Sequence, residues 1–296
     1  MIQTQRTNNL RGIALMVAAM IGFTVTDLFV KSASLDLPVG QILAIAGTGG
    51  GIIFALMTKA QGYAVFSRDF FLWPVILRNL SEAFGSVCYV TALSLIDLST
   101  ASAIIQATPL AVTLGAVIWL REVVHWRRWS AIIIGFIGVL IILRPGGDTF
   151  EPAMLWAVAG MLGLAMRDLS TRMVPPDMPT LRVSTYGMVM LLPAGLFLLA
   201  IGDGPRALST LNYAQMGGAI VVGVLGYWAI TAAMRIGDVS VVAPFRYSRI
   251  IFALLIGTLI LGERPDMWTL IGAAITIAAG IFSFLRERRV AKSAEL

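Results

Sequence analysis

Residues 37–58 read LPVGQILAIAGTGGGIIFALMT, a run of twenty-two positions without one charged side chain. That length matches the roughly 20 apolar residues a helix needs to cross a bilayer. Four more charge-free runs follow: Leu98–Leu120, Val183–Gly202, Tyr213–Met234 and Met267–Leu285. They are continuous rather than alternating, so they are helices and not the strands of a lipid-facing barrel. With the sparsely charged stretches between them, the sequence predicts ten spans, at about 11–31, 37–58, 71–96, 98–120, 129–144, 152–173, 180–201, 212–235, 238–261 and 266–285. The first is read as a span and not a signal peptide, because its apolar run is long and lacks a small-x-small cleavage site.

Composition agrees. Of 296 residues, 58% are hydrophobic and 13% charged, and the mean hydropathy is +0.85. A soluble domain carries about 25% charged residues, so these apolar side chains need the lipid bilayer as partner. The connections are too short for a separate soluble catalytic domain. One cysteine, Cys88, and one histidine, His125, leave no disulfide, no metal site and no His relay, and no cofactor motif is present. The net charge of +6 is spread over span ends and does not mark a nucleic-acid binder. With both termini on one side, that side holds fourteen Lys and Arg against four on the other. Both termini are therefore expected in the cytoplasm, with the chain in a bacterial inner membrane as a monomer.

The chain repeats itself at an offset of 141 residues. Asp27, Asp36, Asp97 and Glu122 recur as Asp168, Asp177, Asp238 and Glu263, and Lys31 recurs as Arg172. Gly22, Pro38, Gly85 and Ser99 match Gly163, Pro179, Gly226 and Ser240. Shared apolar letters are common by chance, but shared charges are not. Each half holds an odd number of spans, so the second half enters the membrane from the opposite side. The expected fold is all-α: ten transmembrane helices as two inverted five-helix repeats, 1–145 and 146–296. Inverted repeats are characteristic of secondary transporters.

The segments ASAIIQATPLAVTLGAVIWLRE (101–122), GFIGVLIILRPG (135–146) and GDVSVVAPFRYSRIIFALLIGTLILGERPD (237–266) resemble the EamA-type exporters of the drug/metabolite transporter superfamily. The resemblance covers almost the whole chain. It implies a central cavity formed largely by the third, fourth, eighth and ninth helices, and export of amino acids, aromatic ones included, or of related metabolites.

Candidate residues follow from charge and aromaticity inside spans, where a charge at the centre of a helix costs about 2.5–3.5 kcal/mol on insertion scales. Arg78 and Glu82 share a face of the third span, as a gate, a substrate contact or a local pair. Arg246 and Arg249 flank Tyr247 on the ninth span beside the helix-breaking Pro244, which suits a carboxylate. Glu82 is the protein partner offered to Arg246. Pro109 breaks the fourth span near Gln106 and Thr108, six positions off repeat equivalence with Pro244. Tyr89, Tyr227 and Trp228 are candidates for the cavity, or else lipid-facing packing. Trp119, Trp126 and Trp129 read as interfacial anchors. Asp27 with Lys31 and Asp168 with Arg172 are i, i+4 pairs, as latches or plain surface pairs. The expected function is export by alternating access. The alternatives are exchange of phosphorylated or nucleotide-linked metabolites and, in another class, an intramembrane enzyme.

Overall fold

The computed structural model describes residues 2–121, 126–145, 150–202, 204–236 and 239–294. Glu122, His125 and Asp238 lie outside them. Among the described residues the chain is helical throughout, with no strand. In chain order the helices are α1 (Ile2–Ala33), α2 (Val39–Ala60), α3 (Trp73–Leu95), α4 (Leu98–Ile105), α5 (Thr108–Trp119), α6 (Trp126–Leu143), α7 (Met154–Thr171), α8 (Thr180–Ile201), α9 (Thr210–Ile236), α10 (Val239–Val242), α11 (Arg249–Leu259) and α12 (Met267–Ala294). Short 3₁₀ segments stand at Arg68–Phe71 and Ala243–Ser248.

Seven segments among the described residues are long and apolar enough to cross a membrane: Asn8–Ala33, Val39–Ala60, Leu98–Trp119, Trp126–Leu143, Thr180–Ile201, Thr210–Met234 and Met267–Leu285. The other three expected spans differ for a physical reason. α3 carries Arg78 and Glu82, α7 carries Arg167 and Asp168, and the run through α10 and α11 is interrupted by its 3₁₀ segment. These are the places where polarity or a broken backbone has been built into the span.

The chain forms two compact units, each drawing on both halves of the sequence. One comprises Thr26–Ile96 and Pro152–Val224. Its central contact is α2 on α8. Gly40 meets Gly195, Gly47 meets Leu191 and Leu192, Gly51 meets Val189, and the Thr58 and Thr185 hydroxyls lie 3.1 Å apart. Numbers rise along α2 as they fall along α8, so the two helices run antiparallel. A Cβ on Gly40 would stand 2.7 Å from the Gly195 carbonyl oxygen. In lipid no hydrophobic force draws helices together, and small residues that let backbones touch take its place.

The second unit comprises Met1–Val25, Asp97–Glu151 and Leu225–Leu296. Met16, Ala19 and Met20 of α1 form a buried cluster with Ala229, Ala233 and Val242. α6 packs on α12, with Gly138 against Gly272 and Thr276, and Gly135 near Ala279. Here too numbers rise along one helix as they fall along the other. α12 is capped by Asp266, whose carboxylate accepts the Thr269 backbone N–H at 2.7 Å. Arg144 pairs with Asp266. Burial alone would push that carboxyl up, but the hydrogen bonds from Thr269 and Arg144 outweigh it and hold it below its ordinary range.

Two glycines give opposite expectations. Gly195→Ala forces a methyl into the α2 backbone and should cost about 1–3 kcal/mol, as overpacking does. Gly217 has nothing within 4 Å of an added Cβ, so Gly217→Ala should be neutral or gain up to about 1 kcal/mol from helix propensity. Unfolding midpoints in mixed detergent micelles would show equal shifts if the α2–α8 contact were not tight.

Candidate functional site

Two broken helices meet in the second unit. α4 stops at Ile105 and α5 restarts at Thr108, with Pro109 in the first turn of α5. A proline is tolerated there because the first N–H groups of a helix have no intrahelical acceptor. Its cost falls on the carbonyl of Ile105, and the Thr108 hydroxyl donates to that oxygen. In the other half α10 ends at Val242, the chain tightens into a 3₁₀ segment containing Pro244, and α11 starts at Arg249. The prolines are out of register by six, as expected. The helices that restart after the breaks are in register: α5 and α11 start at 108 and 249. The two breaks are thus more alike than their prolines suggest.

Gln106 joins them, its Nε2 donating to the Arg246 carbonyl oxygen at 3.2 Å. Beside this link lies a cavity of about 90 Å³, lined by Pro109 and Thr113 of α5, by Arg246 and Tyr247, and by Gly280 and Ser283 of α12. At about 30 Å³ per water, it takes three waters or one small polar headgroup. Tyr247 is buried, and its hydroxyl end occupies the place of a Cβ on Gly280. Arg246 is half-buried and lines the cavity. Arg249 turns the other way, its guanidinium 5.8 Å from the Phe23 ring centroid.

The first unit holds the remaining charges. Arg78 donates to Glu82 at 3.0 Å and to Asn79 Oδ1 at 3.2 Å. Arg167 on α7 reaches the same carboxylate at 3.1 Å and binds Asp168 at 2.8 Å. The glutamate offered to Arg246 from sequence is therefore engaged by Arg78 and Arg167. Arg78 is buried, and its guanidinium fills the place of a Cβ on Gly187 of α8.

Tyr89 is buried, and its hydroxyl donates to Asp27 Oδ2 at 3.1 Å. Asp27 is buried as well. Lys31 donates to the carbonyls of Leu93 and Ile96 at 3.1 and 2.6 Å, closing the C-terminal end of α3. Trp228 is 55% exposed and shares one exposed face of α9 with Val221 and Leu225. Tyr227 is half-buried on the same helix. Trp119 and Trp126 are exposed, as interfacial anchors should be, and Arg127 stacks on Trp126.

One residue was overlooked as a site. Glu263 is buried, and its carboxylate accepts the backbone N–H groups of Leu98 and Ser99 at 2.6 and 3.0 Å and the Ser99 hydroxyl at 2.7 Å. Its recurrence with Glu122 at the repeat offset was the available signal.

A family model described as the EamA-like transporter family matches residues 10–144 and again 151–285. The chain belongs to the EamA-like transporter family. The two matched segments begin 141 residues apart, the offset at which the charges recur. Among similar proteins, the S-adenosylmethionine uptake transporter of Rickettsia bellii is 29% identical over 72% of this chain and 73% of its own. The riboflavin transporter of Vibrio cholerae is 29% identical over 92% of both chains. The pseudopaline exporter of Pseudomonas aeruginosa is 27% identical over 91% of this chain and 94% of its own. A solved crystal structure at 19% identity matches 94% of this chain with a TM-score of 0.64, which shows a shared fold.

In a membrane transporter the α3–α7 chain of charges is a liability unless fully paired. Two arginines and two carboxylates sum to zero. Removing one member leaves buried charge uncompensated, at about 3–5 kcal/mol. Glu82→Gln should therefore lower the unfolding midpoint strongly, and adding Arg78→Met should restore part of it. A Glu82→Gln protein as stable as the parent would show that the cluster is solvated.

Proposed function

We propose that this EamA-like transporter is a secondary transporter that exports amino acids and related small metabolites by alternating access. In this reading it works as a monomer of ten spans, with both termini cytoplasmic and residues 1–145 and 146–296 as inverted repeats. The helix directions support the inversion. α2 and α8 start at residues 39 and 180, 141 apart, and residues 126–143 of α6 correspond to 267–284 of α12 at the same offset. Both pairs pack antiparallel, as equivalent helices do when the axis relating two repeats lies across them. An axis along the membrane normal would leave equivalent helices parallel.

Arg246 carries the substrate reading. It lines the small cavity where the two helix breaks converge, and its backbone is held by Gln106. A guanidinium binds carboxylate in a planar fork. Irregular backbone inside a membrane protein is tolerated where it lines a cavity, and transporters place substrate there. The similar proteins support small-molecule cargo, and S-adenosylmethionine carries an amino-acid group. The pseudopaline exporter, matched over nearly the full chain, supports the export direction.

Efflux of labelled amino acids from preloaded proteoliposomes tests this. A hydrogen bond to a charged group contributes about 1.5–3 kcal/mol, so Arg246→Ala should slow efflux by about 10- to 100-fold with the protein folded and inserted. Arg246→Lys should recover only part, since a point charge cannot reproduce the fork. Undiminished efflux through the alanine variant, or riboflavin carried in preference to every amino acid, would refute the assignment.

A further inference from the structure

The connection from α2 to α3 is more closely built than a link between two helices requires. α2, long and apolar enough to cross a membrane, ends at Ala60. Gly62 then takes a left-handed backbone with φ of 82°, the Tyr63 N–H returns to the Thr58 carbonyl at 3.2 Å, and the Gly62 N–H to that of Lys59 at 2.9 Å. This glycine closure stops a helix sharply and turns the chain aside. Residues 61–72 fold onto the first turns of α8, and the fully buried Tyr186 is their point of attachment. Its hydroxyl accepts the Ser67 backbone N–H at 3.0 Å, while its ring stacks on Phe66 and meets Phe70 edge to face. Arg182, one turn earlier on α8, donates to the Ala64 carbonyl at 2.9 Å and pairs with Asp69 at 3.0 Å. Stacked rings, a backbone hydrogen bond and an ion pair together fix the connection in one place.

What this clasp presents is aromatic and basic. Phe71 is 74% exposed and Trp73 64%, and Tyr63 and Phe66 are exposed on the same connection. Lys59 and Arg68 are exposed as well, and neither has an ion-pair partner among the described residues. Asp69, the one acidic residue between 61 and 72, is taken up by Arg182. Arg172 and Asp177 of the adjoining α7–α8 connection cancel in sum. The surface therefore keeps two positive charges. A segment that leaves a membrane-crossing helix starts at the level of the lipid headgroups, where aromatic side chains gather. Near an anionic headgroup layer each basic side chain strengthens attachment about fivefold. We infer that residues 59–73 form a docking surface for anionic phospholipid, with the exposed aromatic side chains seated among the upper acyl chains and Lys59 and Arg68 on the phosphates. The inference goes beyond the cargo reading and does not depend on it. Because Tyr186 and Arg182 belong to α8, lipid bound at this connection also steadies the α2–α8 contact.

Quenching by lipid tests this in the full chain. In a Cys88→Ser background, Phe71→Cys carries a fluorophore, and the protein sits in nanodiscs of mixed phosphatidylcholine and phosphatidylglycerol. One lipid or the other bears a quencher high on its acyl chain. Labelled phosphatidylglycerol should quench several-fold more strongly than labelled phosphatidylcholine. The same fluorophore on Leu35→Cys, an exposed position before the opposite end of α2, should show no such preference. Lys59→Gln combined with Arg68→Gln should abolish the preference at position 71. Tyr186→Phe, which keeps the ring and removes the hydroxyl that holds Ser67, should weaken it by less. In neutral micelles, added phosphatidylglycerol should raise the unfolding midpoint of the parent and not of the doubly substituted protein, and the rise should shrink in high salt. Equal quenching by the two lipids, or a preference that survives loss of both charges, overturns the inference. A fluorophore quenched by neither lipid overturns it too, because the surface then faces water or another protein. None of these signals reads transport, so failure of the amino-acid assignment would leave the lipid site standing.

Discussion

A backbone N–H or C=O in hydrocarbon has no water to fall back on, and each one left unpaired costs several kcal/mol. This constraint governs the structure wherever a helix stops short of the membrane surface. The breaks at 106–107 and 243–248 free carbonyls and amides, and the chain answers each from close by or from the other half. Thr108 satisfies the carbonyl that Pro109 abandons, and Gln106 takes that of Arg246. Glu263 covers the first amides of α4, and Lys31 covers the last carbonyls of α3. In each long-range case the polar side chain binds two elements together while completing a helix end. A residue chosen to satisfy the backbone therefore also fixes the tertiary arrangement.

Charge follows the same logic. Arg78, Glu82, Arg167 and Asp168 keep α3 and α7 from being apolar enough to pass as spans on composition, yet they are mutually paired and largely buried. Arg246 differs. It lines an open volume on an irregular segment, next to a buried tyrosine and a serine. The guanidinium of Arg246 borders that volume, whereas that of Arg167 is locked between two carboxylates. The distinction between Arg167 and Arg246 is thus one of surroundings and not of residue type.

Much of the architecture was legible in the chain, because lipid imposes length and apolarity on each segment and leaves few alternatives. The charge-free runs, the repeat offset and the polar character of the third, sixth and ninth spans could all be read directly. Arg78 as a local partner of Glu82 could be read too, but the second partner could not. Arg167 and Arg246 both sit in spans, and linear sequence does not say which approaches α3. Spacing along α9 puts Trp228 on one face with Val221 and Leu225, but what that face meets is not written in the spacing. Tyr89 looked like a cavity aromatic, but its hydroxyl needed a buried acceptor, which Asp27 supplies from α1. Single residues were legible where periodicity or repetition constrained them, and not where the answer depended on a neighbouring helix.

The repeat is also kept at a level that letters do not show. Pro109 and Pro244 have drifted six positions apart, while the helices they interrupt restart at equivalent residues. Gly262 and Arg121 differ in every chemical respect, yet both turn the backbone left-handed before a glutamate. Left-handed geometry costs a non-glycine residue about 1–2 kcal/mol, and nothing in local propensity rewards arginine for adopting it. What the two positions share is the left-handed turn itself, which follows the end of a helix in both halves. The element preserved across the halves is therefore the turn, with the residue that makes it free to change.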